Sequence, residues 1–248
     1  MQLESKTICF QLLFCALSVS GVDAQTAPKD NPILDSASSI ALRQYHSFVN
    51  PETQLYRGQQ YVEYAYQIKT GHPYFEDSLI EGSLLYNGVL YQHVPLLYDV
   101  VLDQVTIKDP YSVWKIGLDR QHLDSFTVEQ HQFIRLADSL NPTAPRNGFY
   151  EQLYRGRVRL LKRISKSVQV EVPFAGQGFE KYTLTNISYY LKMGETYYPV
   201  NNERSLLTAL KEKRSPAKKF MRSNRLRMRK DKENTLLKVI TWYDGLTP

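Results

Sequence analysis

Cysteine is almost missing from this chain. Only Cys9 and Cys15 occur among its 248 residues. Both fall in an N-terminal segment that reads as an export signal: Lys6, an apolar run from Ile8 to Val22, then Val22-Asp23-Ala24, with small or modest side chains where a signal peptidase inspects them. Cleavage is expected between Ala24 and Gln25. The mature chain then carries no thiol, which excludes disulfides, cysteine-ligated zinc, iron–sulfur clusters and cysteine nucleophiles. A domain exported without disulfides must rely on its core, and residues 25–248 are ample for one.

Long hydrophobic runs are missing as well. As a helix, Ile8 to Val22 would reach about 22 Å, short of the roughly 30 Å hydrocarbon core of a bilayer. No later stretch is more apolar, so no transmembrane helix is expected after signal removal. Lipid anchoring is disfavoured because Phe14 and Ile8 precede the two cysteines, where lipoprotein processing wants a small residue. With 12 Gly and 12 Pro, collagen and wholesale disorder are excluded. There is no Walker loop, no Gly-x-Ser-x-Gly elbow and no His-x-x-x-His pair. Gly176-Gln-Gly178 lacks the third glycine of a dinucleotide loop. His122 with Asp124, and Glu129 with His131, could each place two ligands on one strand face, but solvated polar positions explain them more simply. No catalytic residue, cofactor or metal is therefore assigned.

What is present is strand grammar. Val62, Tyr64, Tyr66 and Ile68 alternate with Glu63, Ala65, Gln67 and Lys69, the pattern of a half-buried strand. Asn87-Gly88 supplies the two positive φ angles of a type I′ hairpin turn. Further strands are expected at 95–108, 112–118, 131–136, 152–164, 167–173, 180–192 and 195–200. The 18 tyrosines suit sheet faces where the ring packs and the hydroxyl stays wet. Helix signals follow: Asn201 or Asn202 as a cap, Ser215-Pro216 as cap and first position, and Asp231 capping a helix whose Leu236, Val239, Ile240 and Tyr243 form one stripe ended by Gly245. The expected fold is mainly β, a β-rich α+β chain: an antiparallel sheet, barrel-like or a sandwich, followed by two or three C-terminal helices. Residues 1–24 form the signal, 25–35 a flexible leader with a helical start at 36–46 beyond it, 36–202 the β-rich domain, and 203–248 a basic helical segment packed on it. Gln54-Leu-Tyr-Arg-Gly58 returns as Gln152-Leu-Tyr-Arg-Gly156, and the Gly88, Tyr91, Val94 spacing returns as Gly194, Tyr197, Val200. Duplication and convergent hairpin grammar both account for this.

The formal charge of +6 is unevenly placed. Between Lys211 and Lys232 eleven basic residues face only Glu212 and Asp231, so the rest of the mature chain is slightly acidic. Arg225, Arg227 and Arg229 lie in this stretch. A second candidate is Arg155, Arg157, Arg159 and Arg163, which share one parity and would line one face of a regular strand. Arginine forks suit phosphate, sulfate or carboxylate; a solvated or edge face is the plainer reading of both. In a cytosolic protein nucleic acid would come first. After export, lipopolysaccharide phosphates, anionic lipid or acidic glycans take its place.

Gly71-His-Pro-Tyr-Phe75, Gly82 through Asp99, Gly148-Phe-Tyr-Glu-Gln-Leu-Tyr-Arg-Gly156 and the tail from Lys218 to Leu226 and on to Trp242-Tyr-Asp244 together resemble a group of exported proteins of Bacteroidota with no established activity. The resemblance implies a periplasmic, outer-membrane-associated or extracellular protein and transfers no catalytic residue. The expected function is a non-catalytic envelope scaffold or binding module for an anionic surface or a protein partner. Two alternatives remain at this level. One is a hydrolase of an envelope glycan or ester, with acids drawn from Glu76, Asp77, Glu81 or Asp99 and a histidine such as His93. The other is an accessory subunit of an outer-membrane machine. The strands lack the sustained apolar-out alternation of an outer-membrane barrel.

Overall fold

The computed structural model describes residues 54–138, 143–172 and 178–246. The expected signal, leader, cleavage point and early helix lie outside the described residues. In chain order the elements are β1 (Gln59–Gln60), β2 (Ile80–Tyr86), β3 (Val89–Asp99), β4 (Gln104–Lys108), β5 (Lys115–Gly117), β6 (Leu123–Val128), β7 (His131–Leu136), β8 (Gly148–Arg155), β9 (Val158–Glu171), β10 (Glu180–Met193) and β11 (Thr196–Pro199). Helices α1 (Glu203–Ala209), α2 (Arg214–Ser223) and α3 (Lys232–Leu246) follow, with a 3₁₀ turn at Lys211–Lys213. The chain is thus mainly β with C-terminal helices, as its patterning implies.

All eleven strands form one antiparallel sheet, ordered β1-β5-β4-β3-β2-β6-β7-β8-β9-β10-β11. Two meanders share β2. The chain leaves β5 and re-enters as β6 on the far side of β2 through residues 118–122 alone. That connector is folded into a turn, with His122 N–H donating to Asp119 O at 3.1 Å and Leu123 N–H to Arg120 O at 3.4 Å. Three strands lie between β5 and β6, so a flat sheet would hold them about 19 Å apart at 4.8 Å per strand. A turned connector cannot bridge that distance. The sheet therefore curls until β5 approaches β6, yet no ladder joins them, and it is not a closed barrel. Inside the curl Leu84, Leu96, Ile107, Leu123, Phe126, Phe133 and Phe149 are at most 1% exposed. The rings of Phe126 and Phe133 stack at 4.7 Å, and Tyr98 meets both edge-on or tilted.

The Asn87-Gly88 hairpin forms as read, with φ of 52° and 73°. Other expectations need correction. Residues 61–70 are not a strand but a strap across the sheet. The strap, continued to Phe75, touches three distant strands: Tyr61 N–H donates to Lys115 O on β5, Phe75 N–H to Tyr98 O on β3, and Thr183 N–H on β10 to Thr70 O. Gly71 permits the last approach, since a Cβ there would sit 2.2 Å from Thr183 Oγ1 and the backbone has φ +79°. The span 95–108 is two strands joined by a turn at Asp99–Asp103. The span 152–164 is likewise two strands, turning at Gly156-Arg157, and 167–173 continues β9 as far as Glu171. The first repeated fragment is a helical turn at Gln54–Leu55 and a strand at Gln152–Arg155, so its two copies differ in structure. The second marks two hairpin turns, at Gly88 and at Gly194.

The helices are capped largely as their sequence indicates. Asn202 caps α1, its side chain accepting from Ser205 N, while Asn201 Oδ1 accepts from Tyr189 N. Asp231 accepts from Asn234 N and starts α3. Two details differ: α2 begins at Arg214, so Pro216 stands inside its first turn, and Gly245 is still helical. Leu236, Val239 and Ile240 are fully buried against Leu160, Leu191 and the α1 leucines, with Tyr243 at the margin. This second core covers the far end of β8–β10. On β9 one face carries Ile164 in the first core and Leu160 and Val158 in the second, which leaves Lys162 at the boundary between them.

Candidate functional site

The residues between α2 and α3 are anchored by alternate side chains. Leu226 and Met228 pack into the second core, and Leu226 N–H donates to Met221 O at 2.8 Å. Fixing those two inward turns Arg225, Arg227 and Arg229 outward, where all three are exposed. Two grooves form around them. One, of about 1020 Å³, is lined by Arg204, Arg227, Arg229, Lys230 and Lys232 against Glu203, with Met228 at its floor. The other, of about 560 Å³, is lined by Lys218, Arg222, Arg225, Arg227 and Lys230, again against Glu203. Shared Arg227, Lys230 and Glu203 make them contiguous.

Five cations facing one carboxylate in each groove is an unusual balance for this molecule. In the sheet and the segments along it, Lys69, Lys115, Arg120, Arg135, Lys162, Arg163 and Lys192 each have a carboxylate partner within 4.0 Å. Among the described side chains no cation from Lys211 to Lys232 has one. Comparison with protein-family models, curated proteins and solved structures finds no match. The chemistry of the grooves has to be argued from their own residues. Their exposed guanidinium and ammonium groups offer bidentate and point-charge donors to phosphate, sulfate or carboxylate. Sequence reading found Arg225, Arg227 and Arg229, but not Arg204, which lies on α1 and joins them only through the packing of α1 beside the α2–α3 loop.

The other arginine set does not assemble. Arg155 and Arg159 face each other as a cross-strand pair beside the turn of the β8–β9 hairpin. Arg157 sits in the turn, its Nη2 donating to Asp244 O at 2.6 Å. Arg163 lies well up β9, where its guanidinium donates to the Tyr150 hydroxyl (2.7 Å) and the Arg146 carbonyl (3.0 Å) and faces Asp103 at 3.7 Å. One parity in sequence becomes three environments because the hairpin turn interrupts the count.

The acids considered for hydrolysis are also separated. Glu76 and Asp77 are exposed. Glu81 and His93 pair at 2.6 Å on the surface, with side chains 66% and 80% exposed. Asp99 is fully buried. Its Oδ2 accepts from the Tyr61 hydroxyl at 2.7 Å and the Tyr64 hydroxyl at 2.9 Å, and its Oδ1 accepts from Val101 N and Leu102 N at 2.9 and 3.0 Å. The proposed histidine pairs re-sort too: Asp124 faces Arg135, Glu129 occupies a turn with φ 52°, and His131 Nδ1 meets Glu151 Oε1 at 2.6 Å.

Glu151 belongs to a buried ionic layer that sequence reading missed. Lys162 Nζ lies 3.0 Å from Glu151 Oε2 and 2.9 Å from Glu233 Oε2, the latter on the first turn of α3. The Tyr189 hydroxyl donates to Glu233 at 3.2 Å. The two carboxylates raise the Lys162 ammonium pKa against the opposing effect of burial.

These tyrosines are not the wet-tipped residues their number implied. Burial, followed by neighbouring Asp99, lifts the Tyr61 and Tyr64 phenols far above 10. Burial and then Glu233 push Tyr189 up to about 12. Unfolded tyrosine ionises near 10. Above that pH the unfolded chain releases protons that the native chain retains, so stability present below pH 10 drains away as pH rises toward 12. Urea unfolding midpoints should hold up to about pH 10 and then fall steeply, with the buried phenols ionising only as the fold is lost. Smooth titration of every phenol near pH 10 without loss of structure would contradict this.

Proposed function

We propose that the protein is an exported, non-catalytic envelope component that holds a polyanionic surface in the two contiguous C-terminal grooves. The observation that carries this reading is their charge imbalance: each groove sets five cations against one carboxylate, and among the described side chains no cation from Lys211 to Lys232 has a carboxylate partner. The ligand class is phosphate- or carboxylate-bearing polymer, such as lipopolysaccharide phosphates or an acidic glycan. Export and the envelope setting rest on the signal pattern at residues 1–24 and on the resemblance to exported proteins of Bacteroidota.

Exposed ion contacts are each worth a fraction of a kcal/mol and act through collective potential. The triple variant Arg225→Gln, Arg227→Gln, Arg229→Gln should therefore weaken binding to lipopolysaccharide or an acidic polymer by about tenfold or more, with an unchanged urea midpoint. Binding of the unmodified chain should fade toward 1 M salt, where screening shortens the interaction range to about 3 Å. Unchanged binding in the triple variant would remove the grooves from the account.

A further inference from the structure

The loop between β4 and β5 displays apolar side chains that folding alone does not require. Tyr111 and Val113 are each 87% exposed and Trp114 is 58% exposed. Val62 of the strap, 79% exposed, lies beside Val113 and Trp114 in a shallow depression. The other tryptophan behaves differently: Trp242 stacks on Phe220 at 4.8 Å in the second core.

The exposed loop is also closed upon itself. Asp109 Oδ1 accepts from Tyr111 N at 2.9 Å, Asp109 Oδ2 from Ser112 Oγ at 2.7 Å, and Ser112 Oγ from Trp114 N at 3.2 Å. Asp109 N–H donates to Trp114 O at 3.0 Å. The amides of Asp109, Tyr111 and Trp114 are thus satisfied within the loop, which lowers the cost of placing irregular backbone where water is scarce.

We infer that this loop is an interfacial membrane anchor, inserting Tyr111, Val113 and Trp114 into the headgroup region of a lipid bilayer. Three features favour lipid over a protein partner. The presented apolar area is on the order of 500 Å², below the roughly 800 Å² per partner of a stable protein interface. Tryptophan and tyrosine, an apolar body with a polar tip, are the side chains that prefer the membrane–water interface. The surrounding charges cancel: Lys115 pairs with Glu63, and Lys108 adjoins Asp109, so no anionic partner is called for. The lysine stems can lie along the apolar surface with their heads in water. This anchor is independent of the cationic grooves, and the two respond differently to lipid charge and salt.

The test uses the chain beginning at Gln25, so that the apolar run Ile8–Val22 contributes nothing. Trp242→Phe keeps the ring stack on Phe220 and leaves Trp114 as the sole tryptophan reporter. On addition of zwitterionic phosphatidylcholine vesicles, Trp114 emission should shift to the blue and be quenched by brominated acyl chains, at low and at 1 M salt alike. The triple variant Tyr111→Ser, Val113→Ser, Trp114→Ser, compared by vesicle flotation, should partition at least about tenfold less with an unchanged urea midpoint. Flotation of the chain with Trp242 retained gives the same comparison if Trp242→Phe perturbs the fold. Absence of a shift and of flotation overturns the inference. So does binding confined to anionic vesicles and lost in 1 M salt, which would belong to the grooves. A blue shift that grows with protein concentration without lipid would instead make this patch a contact between copies of the chain, and would also overturn it.

Discussion

Asp99→Ala is expected to cost about 4 kcal/mol of folding stability and to lower Tm by roughly 10 °C. The size follows from what is left behind. The carboxylate is fully buried and accepts two phenol hydroxyls, from Tyr61 and Tyr64, and two backbone amides, from Val101 and Leu102. Hydrogen bonds to a charged acceptor are the strong ones, and each orphaned buried donor carries its own desolvation cost. Asp99→Asn should fall between wild type and alanine, because the amide keeps one acceptor but turns a donor toward donors. Tyr61→Phe, which removes one partner, should cost about 1.5 kcal/mol. Urea unfolding measures all three. A loss below about 1 kcal/mol for the alanine variant would mean that the strap is not held by this carboxylate.

Lys162→Ala should be damaging too, by about 3 kcal/mol at neutral pH, because it takes the ammonium from buried Glu151, which keeps only His131, and from part-exposed Glu233. Glu151 is only 5% exposed and cannot recover its solvation by moving outward. Acid removes the cost of an unpaired buried charge, so the deficit relative to wild type should shrink as pH falls. The triple replacement Glu151→Gln, Lys162→Met, Glu233→Gln should regain most of the loss, since uncharged groups of similar volume need no counter-ion. Stability against pH for the single and triple variants, with proteolysis at α3 as the local readout, checks the scheme. An equal deficit at every pH would show that packing, not charge, is what Lys162 supplies.

Local chemistry was legible in this chain and long-range chemistry was not. Asn87-Gly88 declares its hairpin because the turn is encoded by its own two residues. Asn202 and Asp231 declare their helices for the same reason. The turn at Asp99–Asp103 has no such signature: Val100, Val101 and Leu102 read as strand, and the chain reverses there because the Asp99 side chain captures the amides of Val101 and Leu102. At Gly156-Arg157 the hairpin is held from α3, where Asp244 accepts from Arg157 N, Val158 N and the Tyr154 hydroxyl. A carboxylate almost ninety positions away leaves no mark in a window of ten residues. The same limit hid the ionic layer, whose members come from β8, β9 and α3. It also misdirected the parity count, which followed the odd-numbered arginines of 155–163 while the buried cation was Lys162. Arg225, Arg227 and Arg229 could be read because Leu226 and Met228 alternate with them.

The strap also sets an order of events during synthesis. Thr70 and Gly71 leave the ribosome more than a hundred residues ahead of Thr183, the partner they need on β10. At roughly 5–20 residues per second that is several seconds at least. Through that interval Tyr61 and Tyr64 can already find Asp99, while the far end of the strap has nothing to dock on. Closure of the molecule is therefore a late step, waiting on β10, and a nascent chain stalled before Thr183 would present its strap secured at one end only.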